Sequence, residues 1–174
     1  MKLIGLAGLM TAFTAVLVAQ STALRFDAPK AWMPVKTASA MRVAQYSLAR
    51  APGDAEDAEL VVYYFGGQGG SVDANLNRWL SQIEQPDGRP SKAVATTSAL
   101  TVNGLKVTVL DVSGKYVAEM MPGSPVRHDK PGFRMKAAVV ETPSGPYFVK
   151  LTGPARTVQH WDASFIAFLK SMRM

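Results

Sequence analysis

The chain has 174 residues, 19 Lys and Arg against 13 Asp and Glu, a formal net charge of +6, and no cysteine. The missing thiols exclude disulfides, Fe–S clusters, cysteine-ligated zinc, thiol catalysis and lipidation at a cysteine. The length suits one domain with a substantial core. The positive residues are scattered along the chain, which fits solubility or an anionic partner better than nucleic acid, for which no basic–aromatic motif is present.

The N-terminus reads as a secretory signal over residues 1–23. Lys2 precedes an uncharged, mostly apolar run from Leu3 to Val18, and Ser21-Thr22-Ala23 offers a small-x-small cleavage site. Cleavage after Ala23 leaves residues 24–174 as a single α+β domain in the periplasm or outside the cell. The alternative is an uncleaved N-terminal membrane anchor, although the run is short for a full span. Membrane contact is expected only in that case.

In the mature chain, residues 24–32 suggest a short edge strand entering a Pro-bounded turn, and Met33-Pro34-Val35 continues extended. Met41 to Arg50 alternates like a strand. Ala51-Pro52-Gly53-Asp54 with Glu56 and Asp57 reads as an acidic, exposed loop. Glu59 to Phe65 is β-branched and aromatic throughout, as in a central strand buried on both faces. Gly66-Gly67-Gln68-Gly69-Gly70 follows, with Ser71 as a helix N-cap. Val72, Leu76, Trp79, Leu80 and Ile83 form one stripe of a helix over 72–85. Asn103-Gly104 between residues 94–102 and 105–112 specifies a tight hairpin. Residues 117–132 form a Pro/Gly-rich loop. A second hairpin pairs 134–142 with 147–152, and a helix runs from about Pro154 to Arg173 on a stripe including Val158, Phe165, Phe168, Leu169 and Met172. The order predicts an α+β fold, an antiparallel sheet of six or seven strands with helices packed on it.

The opening Phe26-x-x-Pro29-x-x-Trp32 resembles that of PsbP-like and DcrB-like proteins, and the element order is similar. The resemblance implies an exported or lumenal α/β/α sandwich, in some members a non-enzymatic accessory or assembly factor. It implies no catalytic residue. The blocks from Gly145 to Pro154 and Asn75-x-x-Arg78-Trp79 resemble the marks of a bacterial exported group and carry no activity with them.

No catalytic constellation stands out. The glycine loop lacks the Gly-Lys-Ser/Thr of a P-loop, and the dinucleotide fingerprint is incomplete because Val72 stands where its third glycine belongs. His128 and His160 are the only histidines, and no Gly-x-Ser-x-Gly elbow presents a serine. No cofactor and no metal is expected, and the chain reads as a non-enzyme. Two candidate surfaces remain. The first is a ligand or anion site at Gly67, Gly69, Ser71, Asn75 and Arg78, where a helix N-terminus and a guanidinium could meet a negative group. The second is a partner surface at Tyr116, Met120, Met121 and His128, where adaptable methionines sit in a long loop. The leading expectation is an exported accessory protein that contacts another envelope protein. The alternatives are an anion or small-ligand binder and a hydrolase built around His128. Lys150, between Val149 and Leu151, is expected to face solvent or to pair with Glu141.

Overall fold

The computed structural model describes residues 23–37 and 39–174; the predicted signal lies almost wholly outside them. Its strands are β1 (Met33–Pro34), β2 (Arg42–Leu48), β3 (Ala58–Tyr64), β4 (Ile83–Glu84), β5 (Thr96–Val102), β6 (Leu105–Tyr116), β7 (Lys130–Glu141) and β8 (Tyr147–Pro154). The helices are α1 (Val72–Leu80), α2 (Ala155–His160) and α3 (Asp162–Lys170). Every strand pairing is antiparallel. The order is β1-β2-β3-β8-β7-β6, with β4 and β5 sharing the outer edge of β6. This is the expected α+β class, with eight strands. No helix among the described residues is long and apolar enough to cross a membrane.

Helices cover both faces of the sheet, which is why its central strands are nearly continuous apolar runs. On one face, Leu60, Val62, Val149, Leu151 and Val140 pack against Val158, Phe165, Phe168 and Leu169 of α2 and α3. The N-terminal motif belongs to this face. Trp32 lies 5.0 Å and Phe26 5.1 Å from Phe168, ring centre to ring centre, so both aromatics pack on the closing helix. Residues 24–32 form no strand. Only Arg25 bridges to Arg173, and the Trp32 N–H closes a turn on the Pro29 carbonyl at 3.0 Å.

On the other face, Trp79 of α1 packs with Phe148, Val139, Ala137, Met135, Leu110 and Val112. Ser71 caps α1 by accepting from the Ala74 N–H at 3.2 Å. The helix stops at Leu80, earlier than the apolar stripe predicts, because Ile83 is a strand residue. It pairs with Tyr116, and the Val117 N–H donates to the Gln82 carbonyl at 2.8 Å. Gly114 allows this approach, since a Cβ there would lie 2.5 Å from the Glu84 carbonyl oxygen.

The C-terminal helix also differs from expectation, breaking at Trp161 (φ −95°) into α2 and α3. The break lets the Trp161 indole donate to the Ala49 carbonyl at 2.9 Å. It also brings Asp162 within 3.0 Å of Lys136 and 3.2 Å of Arg134. The acidic loop takes part in the same packing. The Asp54 carboxylate accepts from both the N–H and the hydroxyl of Thr157 at the start of α2.

Candidate functional site

Strand alternation places Phe148, Lys150 and Thr152 on the α1 face of β8. Phe148 lies under Trp79, 6.3 Å between ring centres. Lys150 sits just past the end of α1, paired in the sheet with Val61 on one side and Ala137 on the other. It neither faces open solvent nor pairs with Glu141. The residue is half-buried, and its Nζ donates to Gln82 Oε1 at 2.6 Å and to Tyr116 Oη at 3.0 Å, and stands 4.9 Å from the Tyr116 ring centre. Tyr116 is held in turn by His128 and Phe133, stacked at 5.1 and 6.0 Å. The Gln82 backbone is fixed to β6, so both partners of Lys150 are set by one junction between α1 and the sheet.

Tyr63 of β3 lies on the same face, with the Arg42 guanidinium 5.7 Å from its ring centre. Arg42 donates to Gln45 Oε1 at 2.9 Å, Gln45 donates to Glu59 Oε1 at 2.6 Å, and Arg42 and Glu59 are 3.7 Å apart. Arg78, exposed on α1, donates to Asn75 Oδ1. Among the described residues neither Arg78 nor Lys150 has an ion-pair partner. Arg42 is thus paired with Glu59, while the charges of Arg42, Arg78 and Glu59 all act on Lys150.

These groups act on one another electrostatically. Burial lowers the Lys150 ammonium to about 8, with Arg78 and Arg42 pushing the same way and Glu59 opposing them. Burial raises the Tyr116 phenol to about 12, helped by Tyr63 and Glu59 and opposed by Arg42. Tyr63 is also raised, chiefly by burial. At neutral pH both phenols keep their protons. Next along β8, the Thr152 hydroxyl oxygen is buried without a hydrogen-bond partner.

The structure divides the sequence-derived candidates. Arg78, Tyr116 and His128 join the Lys150 face. Gly67, Gly69, Ser71 and Asn75 build the support for α1. A Cβ on Gly69 (φ +128°) would lie 2.7 Å from the Phe148 ring, and a Cβ on Gly145 would strike Gly67 Cα. Buried Asn75 donates to the carbonyls of Gly69 at 2.7 Å and Ser71 at 2.9 Å while accepting from Arg78. Met120 and Met121 stay exposed at the tip of the 117–129 loop. Sequence reasoning missed Arg42, Gln45, Glu59 and Tyr63. The available signal was a lysine in the middle of an apolar central strand, which demands polar company on its own face.

Two clefts of about 470 and 380 Å³ border α1 elsewhere, the larger beside Leu80, Glu84 and Arg89. Neither includes Lys150. Among the described residues no group of three or more His, Asp or Glu is placed to hold a metal ion.

No protein-family model matches the chain, and no curated protein matches it. Among solved structures it is similar to a protein of unknown function from Pseudomonas aeruginosa, at 10% identity and a TM-score of 0.47, over 91% of this chain and 87% of that one. It is also similar to the cyanobacterial PsbP (CyanoP) of Synechocystis, at 10% identity and a TM-score of 0.48, over 92% of this chain and 98% of that one.

Proposed function

We propose that the protein is an exported, non-enzymatic binding protein of the cell envelope, and that it engages its ligand or partner through an anionic group held at Arg42, Arg78 and Lys150. The observation that carries this reading is a lysine without an ion-pair partner among the described residues, Lys150, on which the charges of Arg42 and Arg78 act while Glu59, itself paired with Arg42, is the one carboxylate that opposes them. A carboxylate or phosphate there would meet two guanidiniums, an ammonium and two protonated phenols. It would also relieve the repulsion that now disfavours the Lys150 ammonium.

Titration of the isotope-labelled protein with inorganic phosphate and with small carboxylates tests the reading. The expected result is saturable shifts of the amides around Arg78, Gln82, Tyr116 and Lys150, weakened at least about tenfold in Arg78→Gln and in Lys150→Met. Shifts that are absent, or equal in wild type and both variants, overturn it. Intact mass of the exported protein tests the location, with a chain beginning at Leu24 expected.

Contact with another envelope protein is the second reading. The exposed side chains of Met120, Met121 and Val126 favour it, because they project from the loop whose base is Tyr116 and His128. A partner that copurifies with wild type but not with a Met120→Ser, Met121→Ser variant would support this surface. Equal recovery with both would remove it.

A further inference from the structure

A lysine that stays charged under a packed helix needs carboxylate partners, and Lys136 on the neighbouring strand has two, Asp162 at 3.0 Å and Asp111 at 3.6 Å. Lys150 has no such support. Its Nζ is fixed by two neutral oxygens, Gln82 Oε1 and Tyr116 Oη, and two guanidiniums lie close enough for their charges to act on it. A lysine that is half-buried, held by neutral groups and crowded by cations is the arrangement that frees an amine for nucleophilic attack. We propose that Lys150 captures a small carbonyl compound bearing a carboxylate, an aldehyde or 2-oxo acid, as a reversible imine, with Arg78 and Arg42 receiving the carboxylate.

The chemistry balances within the site. The neutral Nζ lone pair attacks the carbonyl carbon. The carbonyl π pair moves to oxygen, which takes up a proton, and the nitrogen loses one. The resulting carbinolamine then expels its hydroxyl, protonated to water, as the nitrogen lone pair forms the C=N bond. One amine and one carbonyl give one imine and one water, with no change of oxidation state. Tyr116 is placed to help. Its oxygen accepts from Nζ, which leaves its own proton available for the carbonyl oxygen, and burial keeps that proton in place through the neutral range. The lowered Lys150 gives a free-amine fraction at pH 7 roughly 300-fold above that of an ordinary lysine. Lower intrinsic nucleophilicity takes back part of that gain.

This inference rests on the anion-binding reading, and the experiment separates the two. The whole protein is incubated at pH 7 with glyoxylate and sodium cyanoborohydride, which reduces an imine to a stable carboxymethyl adduct, and the adducts are mapped by peptide mass over time. Lys150 is expected to be modified at least about tenfold faster than exposed Lys92 and Lys170. Neutral acetaldehyde should show less preference for Lys150, and Arg78→Gln should bring the glyoxylate preference down to the acetaldehyde level. Modification of Lys150 no faster than of Lys92 and Lys170 overturns the inference. If phosphate and simple carboxylates still bind the face in that case, the covalent step alone is lost. If they do not, the anion reading falls as well.

Discussion

Lys136 and Lys150 occupy adjacent strands of one sheet and point to opposite faces, the first paired with Leu151 and the second with Ala137. On the α2–α3 face, Lys136 and Arg134 are tied to Asp111 and Asp162. The bidentate Arg134–Asp111 contact, at 2.6 and 2.8 Å, raises the affinity of Arg134 for its proton. On the α1 face, Lys150 meets amide and phenol oxygens and faces other cations. Positive charge is matched where the helix must dock and left unmatched where the face stays partly open. The difference lies in what packs over the strand and not in the strand itself, and it separates a lysine fixed by carboxylates from one held by neutral oxygens.

The comparison predicts unequal responses. Lys136→Met should be the most damaging change, costing about 3 kcal/mol in a denaturant melt, because it leaves two carboxylates with one guanidinium under the helix. A loss below about 1 kcal/mol would mean that the network adds little to docking. Alkaline titration should give the next largest effect. The lowered Lys150 means that the unfolded chain binds the extra proton between about pH 8 and the ordinary lysine value of 10.5. Stability should therefore rise with pH in that window, on the order of 2 kcal/mol by pH 10, whereas the raised Tyr116 would reduce it only above its ordinary value of 10.0. The rise should vanish in Lys150→Met, and a rise of equal size in that variant would assign it to another group.

At pH 7, Lys150→Met should leave stability unchanged or improve it by about 1 kcal/mol while weakening anion binding, since a half-buried cation without an ion-pair partner among the described residues is replaced by an apolar chain. A loss above about 2 kcal/mol would make Lys150 a structural residue like Lys136. Ser71→Ala should cost about 1 kcal/mol in the same melts through the lost α1 cap. It should also weaken anion binding slightly by loosening Arg78 and Gln82. Unchanged affinity would separate the seating of α1 from the site.

Much of the fold was legible because local chemistry dictated it. Asn103 and Gly104 both take positive φ, as the tight hairpin requires, and β3 is buried on both sides as its composition implied. The end of α1 was hidden because Ile83 continues the helical stripe, and only the pairing with Tyr116 turns it into a strand. The break at Trp161 was hidden for the same reason, since the contacts it allows, with Ala49, Arg134 and Lys136, come from segments distant in sequence. Of the site, Arg78 and Tyr116 could be proposed singly. Lys150 was visible on its strand, but a two-residue period assigns it a side and says nothing of what lies across from it. Arg42, Glu59, Tyr63 and Gln82 meet it through four separate segments, and only the sheet order brings those segments together.

Asn75 gives the face a mechanical property. Its amide is locked to the glycine turn by two carbonyls, and its oxygen holds the Arg78 guanidinium, so Arg78 is a fixed post and not a swinging arm. On the proposed reading, an occupant would have to come to Arg78 and span from there to Lys150. A molecule whose charged and reactive ends are wrongly separated would then be refused without any side chain having moved.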